Sequence, residues 1–251
     1  MERNREDDVL GARLRDAVRL AQNGGRPRFI GFLDERQADF VQHTMKQLFC
    51  ENYMLWGGYD DAERVVFGVF PDFLVPDASA FPIEALTVSF RRADTLTHRD
   101  FLGSFLSKGI ERETLGDILV EEGRCVLFVR SEIADFVRNQ TDKVGRVGVK
   151  LSPGAEEPLP AAHRFEEFQS VVASARLDCI VAAAIGSSRE KAGEIIRAGL
   201  VMVNHEVSTS LSAAVSPGSK LSIRGKGRFI VDRIGPLTKK GRLSIAGRKY
   251  I

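Results

Sequence analysis

The sequence predicts an α+β protein in which an N-terminal α/β body precedes a smaller C-terminal domain. Along the 251 residues, apolar side chains recur alternately at helical and at strand spacing. The segment "LSPGAEEPLPAAHRFEE" concentrates Pro, Gly, Ala and Glu, which indicates a linker at residues 152–164. We therefore predict subdomains at 1–84 and 85–151, this linker, and a domain at 165–251.

The charge balance differs between the two ends of the chain. Residues 171–251 carry 14 Lys and Arg against 5 Asp and Glu, a balance of +9. The preceding residues carry 22 against 29, a balance of −7. A basic segment on an otherwise acidic chain is typical of binding to phosphates, although a solvated basic face has the same composition.

Composition argues against several protein classes. The chain has no run of about 18 apolar residues, and its charged start has no apolar core, so we expect neither a membrane span nor a secretory signal, and a cytoplasmic location. Three scattered cysteines (Cys50, Cys125 and Cys179) and four scattered histidines form no disulfide or metal pattern. We expect the cysteines to be buried, and no metal or cofactor to be bound.

In the first subdomain, "DERQADFVQHTMKQLF" has helical spacing after a plausible N-cap at Asp34. The run "RVVFGVFPDF" predicts a strand that ends at Pro71. Between them, "WGGYDDAER" contains Gly57 and Gly58 next to acidic turn residues. This composition predicts a tight loop, interpreted as a simple turn.

The second subdomain alternates strands and helices. The predicted order is strand "ALTVSF", helix "THRDFLGSFLSKG", short helix "RETLGDIL", strand "CVLFV", helix "SEIADFVRN" and strand "RVGVKL". Thr97 and Ser131 are suitable N-caps, and Gly109 is placed where a helix should end. A small sheet with helices is RRM-like in outline, but the aromatic motifs that stack bases in an RRM are absent.

The C-terminal domain begins with two short amphipathic helices. In "ARLDCIVAAAI", Leu177, Ile180 and Val181 begin an apolar stripe about three turns long. The second helix opens with Ser187 at capping-box spacing from Glu190, and Gly199 is a natural terminator. The run "VMVNHEV" predicts a hairpin with its turn at Asn204 and His205, and "VSPGSKLSIRGKGRFIVDRI" predicts two further strands around a Gly-Lys-Gly loop.

Basic side chains form a rim on this domain. The rim consists of Arg176, Arg189, Lys191, Arg197, Lys226 and Arg228. We expect Arg189 to lie at the exposed start of the second helix, where free backbone N–H groups favour a phosphate. The rim therefore predicts a surface for an RNA backbone.

The segments "RLD", "SSREKAGEIIRAGLVMVN" and "SPGSKLSIRGKGRF" together resemble the RNA-binding domain named after small-subunit ribosomal protein S-four, also called the αL motif. The resemblance covers about residues 176–234, and His205 departs from it, because the family usually has Gly at this turn. In that family the two helices and the hairpin bind structured RNA. The resemblance implies RNA contacts at Arg176, Ser188, Arg189, Lys191 and Arg197.

Over nearly the full length, the chain is similar to the YlmH-type proteins of bacteria. The similarity is carried by "FLDERQ", "GGYDDAER", "GDILVEEGRCVLFV", "VGRVGVKL" and the C-terminal domain with its basic tail. Members were first linked to cell division and are understood as ribosome-associated quality-control factors. The resemblance implies a monomer that binds ribosomal RNA of the large subunit carrying peptidyl-tRNA, assists untemplated alanine tailing and works beside a quality-control elongation partner.

Two other functions compete with this one. Pseudouridine synthases carry the same domain, and "RLD" is part of their catalytic motif, but the residues after Asp178 do not continue it. A general chaperone of heat-shocked ribosomal subunits would need the RNA-binding domain but not the acidic body. No G-x-x-x-x-G-K-[ST] loop is present, and no Ser, His and Asp set can be placed together from the sequence, so we predict a non-enzyme.

Overall fold

A computed structural model describes residues 2–162 and 165–251, with side chains from residue 5 onward. The chain divides into two compact units, Met1–Ala162 and His163–Ile251. Residues 163 and 164, at the end of the predicted linker, lie outside the described residues. Both units combine helices with antiparallel sheets, which confirms the α+β class.

The first unit begins with a small sheet covered by two helices. Its elements are α1 (Glu2–Gly24), β1 (Arg28–Leu33), α2 (Glu35–Gln47), β2 (Tyr53–Trp56) and β3 (Val65–Val69). The sheet order is β1-β3-β2, and both helices contribute to a core with Leu14, Met45 and Phe67. Asp34 caps α2 as predicted, in a capping box with Gln37.

The rest of the first unit is a four-stranded sheet with two helices. Its elements are β4 (Ile83–Ser89), α3 (His98–Ser107), β5 (Leu115–Glu121), β6 (Arg124–Arg130), α4 (Ser131–Gln140), β7 (Lys143–Val144), β8 (Val147–Gly148) and β9 (Lys150–Pro153). The sheet order is β5-β6-β4-β9, and β7 pairs with β8. Thr97 caps α3, and Gly109 lies just beyond its end at φ +79°, both as predicted.

Three expectations for this region are wrong. The predicted helix "RETLGDIL" is a short 3-10 turn (Arg112–Thr114) followed by β5, because pairing with β6 buries the whole run from Leu115 to Leu119. Ser131 is the first residue of α4, and the cap position belongs to Arg130, whose side chain makes no capping bond. The strand predicted at 146–151 is divided between β8 and β9.

The loop "WGGYDDAER" joins the two sheets of the first unit and is more than a turn. Gly58 has φ +103°, and a Cβ there would lie 2.4 Å from a ring carbon of Phe128 in β6. The carboxylate of Asp117 in β5 accepts hydrogen bonds from Tyr59 Oη at 2.7 Å and from the backbone N–H of Glu63 at 2.8 Å. Only glycine fits at position 58, so close to the Phe128 ring. The buried carboxylate of Asp117 then fixes the loop through these hydrogen bonds.

The second unit is a six-stranded antiparallel sheet with two helices against one face. Its elements are β10 (Phe165–Val172), α5 (Leu177–Ala184), α6 (Arg189–Arg197), β11 (Val201–Val203), β12 (Glu206–Val207), β13 (Lys220–Ile223), β14 (Gly227–Leu237) and β15 (Leu243–Tyr250). The sheet order is β10-β15-β14-β13-β11-β12. Leu177, Ile180 and Val181 are fully buried against Phe229 and Val231, which confirms the predicted stripe on the first helix.

Other sequence expectations for this unit have mixed outcomes. Asn204 and His205 form the hairpin turn at φ +47° and +69°, as predicted. The first helix has eight residues, about two turns, and is shorter than expected. The segment interpreted as a basic tail is largely β15, which pairs with both β10 and β14 and therefore lies inside the sheet.

Two general observations concern the described residues. No helix among them is long and apolar enough to cross a membrane, and no group of three or more His, Cys, Asp or Glu side chains could hold a metal ion. Cys50, Cys125 and Cys179 are all buried and unpaired thiols, as expected.

Candidate nucleic-acid interface

Two arginines converge on one buried carboxylate where the two helices of the second unit begin. Arg176 precedes α5, and its Nε and Nη2 lie 3.2 and 3.3 Å from the two carboxylate oxygens of Asp178. Arg189 opens α6, and its Nη2 donates to Asp178 Oδ2 at 2.6 Å. We call these three residues the Asp178 clasp. It ties together the starts of two helices that are separate in sequence.

Burial within the clasp is unequal. The side chain of Asp178 is only 6% exposed, whereas those of Arg176 and Arg189 are 46% and 57% exposed. Burial alone would raise the pKa of Asp178, but hydrogen bonds from Arg189 and Arg176 outweigh it and hold the pKa below its usual value. The clasp therefore carries a net positive charge at neutral pH, with both guanidinium groups partly open to solvent.

Arg189 lies at the exposed start of the second helix, as expected. The sequence did not indicate that one edge of its guanidinium is bonded to Asp178. A guanidinium has five N–H donors, so the pairing fixes its orientation and leaves other donors for a ligand. Asp178 lies in the first turn of α5, and its side-chain partners are Arg176 before it and Arg189 after it.

Ser188 and Lys191 lie beside the clasp at the start of α6. Ser188 is the N-cap, and its Oγ accepts a hydrogen bond from the backbone N–H of Lys191 at 3.2 Å. The sequence assigned this cap to Ser187, one residue too early. The Ser188 hydroxyl therefore caps the helix. Lys191 is exposed, two residues after Arg189.

We expect Ser188→Ala to lower the free energy of unfolding by about 1 kcal/mol, since α6 loses its capping acceptor. Ser187→Ala is the matched control and should change stability by less than about 0.5 kcal/mol, because Ser187 Oγ makes only a 3.3 Å bond to a neighbouring carbonyl. Urea unfolding of both variants checks this. A larger loss for Ser187→Ala would restore the assignment made from sequence.

Arg197 and Lys226 lie at the other end of α6. Arg197 is exposed in the last turn, about 12 Å along the axis from Arg189. The loop that carries Lys226 is tied to this end, because Arg224 donates its backbone N–H to the carbonyl of Leu200 at 2.9 Å. Arg224 is exposed here and was missed, although it belongs to the quoted "SIRGKGRF" segment.

Arg228 lies on the face of the sheet away from the helices. In β14, Phe229 and Val231 face the helices, so the alternating Arg228 points to the opposite side. Its guanidinium carbon lies 4.4 Å from the ring centroid of Tyr250. The structure therefore separates Arg228 from the clasp, and the predicted rim does not form one continuous surface.

The same outer face holds a second arginine that is already neutralised. Arg248 donates from Nε and Nη2 to the carboxylate of Asp232, at 3.0 and 2.8 Å. Its guanidinium also lies 4.8 Å from the ring of Phe165. Arg248 thus resembles Arg189 in charge and pairing but lies on β15, and it is a natural control for the clasp.

A helix pair on an antiparallel sheet, with arginines fixed where the helices begin, defines an RNA-binding protein of the S4 class. A family model described as the S4 domain matches residues 175–221, and one described as a putative RNA-binding domain in YlmH matches residues 76–157. The chain is 34% identical over 229 residues to the Bacillus subtilis (strain 168) protein named ribosome-associated protein quality control protein P2. That alignment covers 89% of this chain and 88% of the relative, so the chain belongs to the YlmH family.

A solved structure gives the same fold. The cell division protein ylmH from Streptococcus pneumoniae matches with a TM-score of 0.52 at 24% identity. The match covers 60% of this chain and 92% of that one. At this level of identity, the likeness shows the fold alone.

Proposed function

We propose that the protein is a non-catalytic RNA-binding factor of ribosome-associated quality control. It binds ribosomal RNA of the large subunit when that subunit carries peptidyl-tRNA, and it assists alanine tailing of the stalled chain beside an elongation partner. The name of the Bacillus subtilis relative supports the process, and the Asp178 clasp is the observation that carries the binding. Guanidinium groups held by a buried carboxylate are pre-oriented for phosphate, which lowers the entropy lost on binding.

The proposed RNA contacts fall into two groups. Arg176, Arg189 and Lys191 surround the start of α6, with Ser188 holding the helix end in place. Arg197 and Lys226 offer further positive charge at its other end. The two groups lie about 12 Å apart along the axis of α6, close enough for one RNA backbone to contact both.

The two competing functions are less well supported. A pseudouridine synthase needs a free nucleophilic Asp, but Asp178 is buried and bonded to two arginines. A general ribosome chaperone would not discriminate between subunits with and without peptidyl-tRNA. That difference in selectivity separates it from the quality-control function.

The experiment is sedimentation of the full-length protein with purified ribosomal subunits. We expect it to travel with large subunits, and more of it when they hold peptidyl-tRNA, because the tRNA adds a second RNA partner. Equal binding to large subunits with and without peptidyl-tRNA would favour the chaperone. Sedimentation as free protein, or with small subunits alone, would contradict the proposed function.

A further inference from the structure

A cleft of about 580 Å³ opens in the first unit, far in sequence from the S4 domain. It lies between the first half of α1, the start of α2, the end of β1 and the 3-10 turn before β5. Its charged lining is mainly basic, with five arginines: Arg5, Arg13, Arg36, Arg64 and Arg112. Three carboxylates, Glu6, Asp34 and Glu113, also line it, so the lining has an excess of positive charge in an otherwise acidic unit.

Two of the arginines at the rim already have carboxylate partners. Arg13 pairs with Glu113 at 2.9 Å. Arg36 pairs with Asp7 and lies 3.7 Å from Glu6. These pairs account for two of the three acidic residues of the lining, and the remaining Asp34 caps α2 by accepting the backbone N–H of Gln37.

The two inner arginines differ, because they donate only to backbone carbonyls. Arg64 donates from Nε to Leu115 O at 2.9 Å, and from Nη2 to Phe32 O at 2.8 Å and Arg112 O at 3.1 Å. Arg112 donates from Nη1 to Leu115 O at 2.8 Å. Within residues 5–162, neither guanidinium forms an ion pair with a carboxylate, and the nearby carboxylates of Asp34 and Asp117 offset their two charges only in part.

The protein environment penalises these two charges. Burial, together with the neighbouring charge of Arg112, lowers the pKa of Arg64 to about 10, against a partial offset from Asp34 and Asp117. Burial also lowers the pKa of Arg112. Partly buried like charges are unfavourable unless an anion compensates them.

The unused donors of both arginines are not fully buried. Nη1 of Arg64, and Nε and Nη2 of Arg112, have no recorded partner among the described residues. Among the described residues, Nη1 of Arg130 is the one side-chain nitrogen or oxygen that is fully buried and has no hydrogen-bond partner. The unpartnered nitrogens of Arg64 and Arg112 are not in that group. The unused nitrogens are therefore accessible, and the cleft is the space that both side chains line.

We propose that this cleft binds a phosphate group of a nucleotide-sized ligand or of an RNA end. Arg64 and Arg112 form the floor of the site, and Arg5 binds at its rim. A phosphate places several acceptor oxygens against the forked guanidinium donors and neutralises both inner charges at once. The volume suits a nucleotide rather than a bare ion. None of these residues belongs to the proposed S4-domain interface.

The test uses the full-length protein and isothermal titration with inorganic phosphate and with AMP, at fixed ionic strength set by chloride. Two variants probe the site: Arg112→Gln removes an inner charge, and Arg5→Gln removes a rim charge that makes no recorded internal bond. Arg19→Gln is the matched control, since Arg19 is a paired arginine of α1 outside the lining. We expect roughly tenfold weaker binding in Arg112→Gln, weaker binding in Arg5→Gln, and no change in Arg19→Gln.

The source of the phosphate is resolved by a second titration with a six-nucleotide RNA, with and without a 5′-phosphate. Binding that needs the 5′-phosphate and is lost in Arg112→Gln assigns the cleft to an RNA end, and binding of AMP alone assigns it to a free nucleotide. If Arg112→Gln fails to fold, Arg5→Gln carries the test. Absence of binding by every probe, or equal loss in Arg19→Gln, would overturn the proposal and leave the S4-domain function untouched.

Discussion

Asp178→Asn should weaken binding to the large ribosomal subunit by roughly fivefold, although it makes the protein more basic by one charge. An amide cannot neutralise two guanidinium groups, so Arg176 and Arg189 lose their fixed orientation and must be ordered when RNA binds. Ordering two long side chains costs about 1–3 kcal/mol, which exceeds the gain from one added net charge at physiological salt. Fluorescence anisotropy with labelled protein and purified large subunits measures the change.

The same variant should also be less stable by about 1–2 kcal/mol. Breaking a fully buried ion pair costs about 3–5 kcal/mol, and the value here is smaller because both arginines are half-exposed. Since the folded pKa of Asp178 is lowered from 3.8, its stabilisation is present above that value and is lost as the pH falls through the folded pKa. Unfolding measured between pH 7 and pH 3 should therefore show a smaller acid-dependent loss of stability in Asp178→Asn than in the unchanged protein.

Tighter RNA binding by Asp178→Asn would contradict the binding prediction, because net charge, and not the clasp, would then determine affinity.

Arg189→Ala should weaken RNA binding by about 1–3 kcal/mol. The slope of log affinity against log salt concentration should also fall by the contribution of about one phosphate contact. The variant loses a charge-assisted donor at the helix start and leaves Asp178 with Arg176 alone. We also expect a lower free energy of unfolding, with a larger loss than for an unpaired surface arginine. Affinity across a salt series, with thermal melting as the stability control, measures both effects.

Arg189→Lys separates charge from geometry in the same assay. Lysine keeps the positive charge but cannot bridge a carboxylate and a phosphate with a planar fork. We expect it to recover the salt dependence but only part of the affinity. Full recovery of affinity would reduce the role of Arg189 to its charge.

Features set by local sequence could be predicted. The stripe that begins at Leu177 and the capping residues Asp34 and Thr97 each depend on neighbours within about one or two helical turns. The turn at Asn204 and His205 depends on residues that tolerate positive φ. Local rules therefore gave the correct N-cap for two of the four helices with predicted caps, and they also gave the hairpin next to the site.

Features set by distant partners could not be predicted. Leu115, Ile118 and Leu119 fit a helical period, but pairing with β6 makes them a strand. Tyr250 and its neighbours looked like a tail because their partners in β10 are about 80 residues away in sequence. Strand pairing over such distances leaves no signature in a local window.

The clasp is also a contact between distant residues, since 11 positions separate Asp178 from Arg189. One signal could have indicated it. Asp178 stands directly between Leu177 and Cys179 at the start of an apolar run, and a buried carboxylate requires a partner. Searching for that partner among the nearby basic residues would have named Arg176 and Arg189.

The most direct test of the account compares two variants that remove the same charge from the same unit. Arg189→Ala and Arg248→Ala each delete one carboxylate-paired arginine, the first beside α6 and the second on the outer face of the sheet. The measurement is the dissociation constant of each full-length variant for large subunits carrying peptidyl-tRNA, at one fixed salt concentration. The account predicts roughly tenfold weaker binding for Arg189→Ala and a change below about twofold for Arg248→Ala. Equal losses in the two variants, or a larger loss for Arg248→Ala, would contradict it.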